Sequence, residues 1–423
     1  MLRSRTVTIG GRSGPASDQT GDNARVTTQS ELAARAARVL PGGATHIARS
    51  YAPPIYVSRA AGSRKWLVDG SELIDYTMGH GALLLGHAHP AVVAAVCAQV
   101  SRGTHYGAGH PLEVEWAELI CSMVASVDEV RFTASGTEAA MLALRVARAA
   151  TGRDVIVKLD DHFHGWSDAV SVNLDGGVPR VPAGVAAAQL LTTSVVPGDN
   201  VDALRARLAT GEVAAVIFEG SGAHYGRTPL PDGYATALAD ACAATGTLLV
   251  IDEVVTGFRV GTGGMQSMLG ITPDLSVFGK VMAGGLPGGA LGGRRALMDL
   301  LASTIAHPGT FNANPLTASA GITTLQLCAD GGPQELAAAS AAKLEAGWRD
   351  VLVRRGVDGH VRRLVSILHL ALADADRQAT LAVRLRAEGV DLLHTSAFCS
   401  AVHSDEDIER TVAALDRALR HPA

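Results

Sequence analysis

The chain has 423 residues, too many for one small core, and its 47% hydrophobic and 18% charged residues fit a globular protein of two domains or one large α/β unit. A formal net charge of −5 gives no general attraction to nucleic acid or acidic membranes, and no apolar run approaches the roughly 20 residues of a membrane span. Five cysteines, Cys97, Cys121, Cys242, Cys328 and Cys399, are scattered without a CxxC pair, the pattern of reduced core thiols in a cytoplasmic protein.

In chain order, residues 1–24 are polar, rich in Gly and Ser and without the apolar stretch of a secretory signal, and are expected to be a disordered tail or the product of a misplaced start codon. A helical pattern from Ser30 to Leu40 is stopped by Pro41-Gly42-Gly43. Short strands are expected at Ile55-Tyr56-Val57 and at Lys65-Trp66-Leu67-Val68-Asp69, with turns at Gly62 and Gly70. Gly86-His87-Ala88-His89-Pro90 has the look of a metal site, but without cysteine or acid partners nearby it reads as a helix-entry loop.

The middle of the chain alternates strand and helix. Val130–Thr133 leads into a helix from Glu138 to Ala149, and further buried-type strands fall at Val155–Lys158, Ala214–Phe218, Leu248–Ile251 and Leu275–Phe278. Helices over 201–210 and 233–245 separate some of them. Apolar strands without alternation predict a mainly parallel sheet covered on both faces. Beyond Leu316 the pattern turns helical, then mixed, and ends in an amphipathic helix from Ile408 to Leu419.

The chemistry gathers at strand ends. Asp252 closes the apolar run Leu248-Leu249-Val250-Ile251, and Lys280 follows the strand ending at Phe278-Gly279. A lysine and an aspartate at neighbouring strand ends suit pyridoxal phosphate (PLP): the lysine holds the aldehyde as a Schiff base and an ionised carboxylate faces the ring nitrogen. The amine needs a depressed pKa, which burial and a nearby ring cation supply. Ser135-Gly136-Thr137-Glu138, between strand and helix, offers amides and hydroxyls for a phosphate, or simply caps the helix. Phe163 in His162-Phe163-His164 offers an aromatic face for a planar ring, or a packed loop side chain. Glu219 ends another strand, where it orients a polar group of the ring or stands solvated; His224 and Tyr225 follow in the next loop. Thr310, in Gly309-Thr310-Phe311, has a hydroxyl that completes a phosphate site. All these positions fall on one edge of the expected sheet, the edge where α/β folds bind ligands. The chain lacks GxxxxGK followed by Ser or Thr, GxSxG and HExxH, which removes the usual P-loop, hydrolase and zincin signatures.

Together these segments, with Ile251-Asp252-Glu253-Val254-Val255-Thr256-Gly257-Phe258-Arg259, resemble the class III aminotransferases of the PLP fold-type I group from about Leu40 to the C-terminus. Within that group the chain is similar to the branch containing glutamate-1-semialdehyde 2,1-aminomutase and D-phenylglycine aminotransferase. The resemblance implies a large domain (81–315) with a mainly parallel seven-stranded sheet between helices. It also implies a smaller α+β domain built from 25–80 and 316–423. It assigns Ser135, Gly136 and Thr137 to the phosphate, Phe163 and Val254 to the two ring faces, Asp252 to the ring nitrogen, Glu219 to the cofactor and Lys280 to the Schiff base. Thr310 reaches the phosphate of the neighbouring subunit, so a homodimer is implied. Arg49 is the candidate for the substrate carboxylate, and His80 and His224 for the substrate pocket.

Departures from the pattern are Phe163 where tyrosine is usual and Gly220 where proline is usual. His80 stands where the aminomutase has tryptophan, and Thr395–Ser400 offers no match for its active-site acid. The expected activity is amino transfer between an amino acid, including D- or arylglycine-type donors, and a 2-oxo acid with ping-pong kinetics. Intramolecular amine migration, racemisation and non-catalytic PLP binding are the alternatives.

Overall fold

The computed structural model describes residues 28–49 and 51–420; the tail expected over 1–24 lies outside them. Contacts divide the chain into an N-terminal unit, which takes in residues up to Tyr56 together with Val68–Gly70, and a second unit holding the rest.

In the N-terminal unit a helix, Gln29–Val39, begins at Thr28, whose hydroxyl accepts the Glu31 amide while the Glu31 carboxylate accepts the Thr28 amide. This reciprocal cap satisfies two donors that a helix start leaves over. The Gln29 side chain brackets the main chain of Tyr56, its Oε1 accepting the Tyr56 N–H at 2.6 Å, and the Tyr56 carbonyl also accepts from Val68 N. Tyr56 is therefore committed elsewhere, and the first strand runs over Val57–Ala61 instead of 55–57. Its partner ends at Leu67, before the residues expected to extend it.

The second unit is built on a seven-stranded sheet. Across it lie Glu129–Thr133, Gly289–Gly293, Leu275–Gly279, Leu248–Asp252, Val213–Glu219, Val155–Leu159 and Thr193–Val196. Gly289–Gly293 runs antiparallel to both neighbours, and the other six strands run the same way. Successive residues of each central strand face opposite sides. Val250, Val277 and Ile217 pack under the helix Gly136–Thr151, while Leu249, Ile251 and Val216 pack on the side that carries Tyr234–Thr245. With both faces covered, the strands are apolar throughout, as their sequences suggested.

Gly289-Ala290-Leu291-Gly292-Gly293 was not legible as a strand, since glycine weakens strands in general. Here close approach demands it. A Cβ at Gly289 would lie 2.4 Å from the carbonyl oxygen of Ser135, and one at Gly292 would lie 2.8 Å from both Val127 methyls.

A second core forms around Tyr76, Trp348, Leu368, Leu370, Leu385 and Leu415. It joins a four-stranded sheet (Val57–Ala61, Arg64–Leu67, Glu72–Asp75, Val390–Asp391) and a three-stranded one (Gly359–Leu364, Ile367–Leu372, Ser396–Phe398) with the helices Gly332–Arg355, Ala375–Ala387 and Asp405–Ala418. Gly86–Pro90 leads into the helix Pro90–Val100, and His87 Nε2 lies 2.7 Å from Asp75. Among the described residues no helix is long and apolar enough to cross a membrane.

Candidate active site

The six parallel strands bring the chemical side chains of the sequence to one edge. Asp252 and Lys280 end or follow adjacent strands, Leu248–Asp252 and Leu275–Gly279. Lys280 takes the left-handed backbone region at φ 52, an uncommon conformation for a side-chain-bearing residue. Such outliers cluster at functional sites because the surroundings must enforce them. Burial pushes its amine below the ordinary lysine value, against the pull of the Asp252 and Glu219 carboxylates.

Asp252 is itself held from two sides. Its Oδ1 accepts the Val254 N–H at 2.9 Å, and its Oδ2 lies 2.7 Å from His164 Nδ1. Burial lowers the His164 pKa, opposed by the hydrogen bond and charge of Asp252. With the Nδ1 proton directed at Asp252, Nε2 is a buried atom without a protein partner. Sequence reasoning quoted His164 only as part of a motif. Its signal was the alternation His162-Phe163-His164, which turns both imidazoles inward and leaves Phe163 63% exposed.

Ser135 caps the helix Gly136–Thr151, its hydroxyl accepting the Glu138 N–H at 3.2 Å, while Glu138 Oε2 accepts the Ala134 N–H at 2.6 Å. The capping role is therefore real. It leaves the amides of Gly136 and Thr137 without intrahelical acceptors at the positive end of the helix dipole. Contacts tie this cup to the other strand ends. A Cβ at Gly136 would lie 2.8 Å from Val254 Cγ2, and one at Gly279 would lie 3.3 Å from Val254 Cγ1. Gly165, at φ 95, passes so close to Thr137 that a Cβ would lie 2.5 Å from its Oγ1.

Glu219 is not a solvated strand end. It is buried, and its Oε1 accepts from Phe163 N (2.9 Å) and His224 N (3.1 Å) while Oε2 accepts from Tyr225 N (2.8 Å). Its own N–H donates to His162 Nδ1 at 2.9 Å. Burial pushes its carboxyl up to about 7, despite the three amide bonds that favour the charged form. The side chain thus joins the Phe163 loop to the His224 turn.

The remaining candidates belong to short turns and loops. His80 belongs to the turn Met78–Gly81, and His224 is exposed in the turn Ala223–Gly226. Thr310 is exposed, and its carbonyl accepts from His105 Nε2 at 2.6 Å. Arg49 ends the short turn Ile47–Arg49 of the N-terminal unit and is exposed. Arg259, quoted in the sequence only as the end of a motif, is a buried guanidinium donating to Gly81 O, Cys399 O and Ser366 Oγ.

The family described as Aminotransferase class-III matches residues 46–419. The chain belongs to the class III aminotransferases. Among curated relatives of this class III chain is the glutamate-1-semialdehyde 2,1-aminomutase of Chloroflexus aurantiacus, 38% identical, with 93% of this chain and 96% of the relative aligned. Among solved structures, an omega-transaminase from Sphaerobacter thermophilus superposes with a TM-score of 0.88 at 32% identity, covering 94% of this chain and 98% of that one. A transaminase with PLP bound gives a TM-score of 0.87 at 32% identity, over 92% and 96% of the two chains. The seven-stranded sheet with its smaller α+β region is therefore the fold-type I architecture of PLP-dependent enzymes.

The class III cofactor suits the residues at this edge. A helix start with amides free of intrahelical acceptors suits a phosphate, and glycines at 136, 165 and 279 let Val254 and Thr137 pack closely beside it. A buried amine of lowered pKa stands across from a carboxylate oriented by an imidazole. A lysine amine, a carboxylate and helix-start amides suit, in turn, an aldehyde, an aromatic ring nitrogen and a phosphate.

Proposed function

We propose that this protein is a PLP-dependent aminotransferase that moves an amino group between an amino acid and a 2-oxo acid, acting as a homodimer. The observation that carries the reading is the pairing of Lys280 and Asp252 at adjacent strand ends, with Asp252 fixed by His164 Nδ1 at 2.7 Å. When bound, PLP supplies an aldehyde for amines and a ring that takes up the electron pair left when a Cα proton departs. Ser135, Gly136 and Thr137 would hold its phosphate, with Thr310 from the second subunit. Phe163 and Val254 would cover the ring faces and Asp252 would keep the ring nitrogen protonated. Glu219 would border the ring edge through the loop it anchors. Lys280 Nζ, whose burial favours the neutral amine, would accept the Cα proton of the donor and return it to a neighbouring carbon. Arg49 would clamp the substrate carboxylate with a bidentate fork, and His80 and His224 would line the pocket.

One observation favours a second reading: the Chloroflexus relative at 38% identity is named as an aminomutase, an enzyme that shifts an amine within one molecule. Against it, the segment Thr395–Ser400 contributes Ser396 and the buried Phe398 but no acid. Incubation of the PLP-loaded protein with one amino substrate and no acceptor separates the two. An aminotransferase consumes about one equivalent of donor per site and stops; continuous turnover under those conditions would overturn the proposal in favour of a mutase or racemase. A protein without a borohydride-fixable adduct at Lys280 would overturn both.

A further inference from the structure

The three-stranded sheet presents one face to the candidate site. On it Ser396 is paired with His369 and Phe398 with Ile367. Two residues apart on a strand, Ser396 and Phe398 point the same way. That face supports the His224 turn. His369 Nε2 lies 3.3 Å from the Tyr225 carbonyl oxygen, and its Nδ1 lies 2.9 Å from Ser396 Oγ. With the Nε2 proton given to the carbonyl, Nδ1 accepts from the Ser396 hydroxyl, whose oxygen in turn accepts from Arg227 Nη2 at 3.2 Å. Burial pushes His369 down to about 4, so this ordering holds at neutral pH. The Tyr225 ring stacks on His369 with centroids 5.5 Å apart and lies 5.2 Å from the ring of Phe398.

Phe398 reaches the His80 turn as well. Gly81 sits so close that a Cβ there would lie 2.9 Å from Phe398 Cε1. The Arg259 guanidinium lies 5.5 Å from the same ring and donates to Gly81 O through Nε (3.1 Å) and Nη2 (2.9 Å). Both turns are left-handed. Met78, Gly79, His80 and Gly81 have φ of 42, 60, 59 and 83°, and His224, Tyr225 and Gly226 have 52, 52 and 95°. Side-chain-bearing residues are disfavoured in that region, so neighbours must hold the turns in place.

We propose that Phe398 is a specificity-determining residue: wedged between the two turns, it sets their separation and so the size of substrate side chain that His80 and His224 admit. This rests on the proposed reading in which those histidines line the substrate pocket. Phe398 touches neither cofactor nor reacting atoms in this role; it acts through Gly81 and Tyr225. Shortening it lets both turns settle toward the vacated volume, and so toward each other, and narrows the space between them against bulkier donors.

The test uses PLP-loaded wild type, Phe398→Leu, Phe398→Ala and Ser396→Ala, with alanine and an aryl-substituted amino acid as donors. Calorimetric binding of phenylacetate, a non-reacting aryl carboxylic acid, gives a readout independent of turnover. For Phe398→Leu the kcat/KM ratio of aryl donor to alanine should fall roughly tenfold or more, mainly through KM, and phenylacetate should bind more weakly. Cofactor absorbance and borohydride fixation at Lys280 should be unchanged. Ser396→Ala, which frees the turn but keeps the wedge, should move the ratio less. An unchanged ratio in Phe398→Leu, or an equal loss on both donors with cofactor retained, would overturn the proposal. Should Phe398→Ala fail to fold, the leucine variant, which stays apolar and removes less volume, still decides. Failure of the aminotransferase reading looks different: the wild type itself would transfer no amino group from any donor.

Discussion

The sheet edge bearing Lys280 and the small-sheet face bearing Phe398 follow different building plans. At the edge, each chemical group ends or follows a strand, so a few contiguous residues carry both the fold signal and the chemistry. On the face, His369, Ser396 and Phe398 are ordinary residues from two strands, and their meaning arises only when Tyr225 and Gly81 pack on them. Under the proposed function the first plan would fix what reaction is possible and the second would shape what enters. Changes at the edge should therefore abolish turnover, whereas changes at the face should redistribute it.

The sharpest break of that contrast is Lys280→Ala. Loss of the amine should lower turnover by roughly 10³-fold or more while the protein stays folded, measured as kcat beside a thermal melt. Asp252→Asn should come next, at roughly 10²–10³-fold in kcat, with bound cofactor still visible by absorbance. Near-normal turnover in either variant would place the chemistry elsewhere.

Glu219→Gln tests the link between the regions, because an amide offers one acceptor oxygen to three main-chain donors. Leaving at least one buried N–H unpaired costs about 1–3 kcal/mol, so a melting temperature several degrees lower and a raised KM are expected. An unchanged KM would mean the carboxylate does not position the His224 turn.

A further test is the pH dependence of stability. His369 and His403 are pushed down by burial to about 4 from 6.5, so the unfolded chain protonates first. Their stabilising contribution, about 3 kcal/mol each, is in place above pH 6.5 and lost as pH falls toward 4. Glu219, raised from 4.5 to about 7, works in the opposite sense: its contribution is complete below pH 4.5 and lost as pH rises through 7. Two imidazoles outweigh one carboxyl, so thermal stability should fall from pH 6.5 to 4.5, and Glu219→Gln should steepen that fall.

Much of the edge was legible beforehand because an apolar run closed by a charged residue is a strong local pattern. Leu248–Asp252 and Leu275–Gly279 appear as strands with their ends nearly where the sequence placed them. The glycine-rich strand Gly289–Gly293 was not legible, since its reason is a neighbour's carbonyl rather than its own composition. His164 escaped for a related cause: its partner, Asp252, is 88 residues away in sequence. The left-handed turns at 80 and 224 were beyond reach, because nothing in Met-Gly-His-Gly or Ala-His-Tyr-Gly dictates a positive φ without the packing that enforces it.

The pinch between Gly289 and the Ser135 carbonyl has a practical corollary for anyone diversifying this scaffold. Alanine there should press the Ser135 loop outward. Alanine clones at that position should lose cofactor colour before they lose the fold, a class that a stability screen alone would pass as healthy.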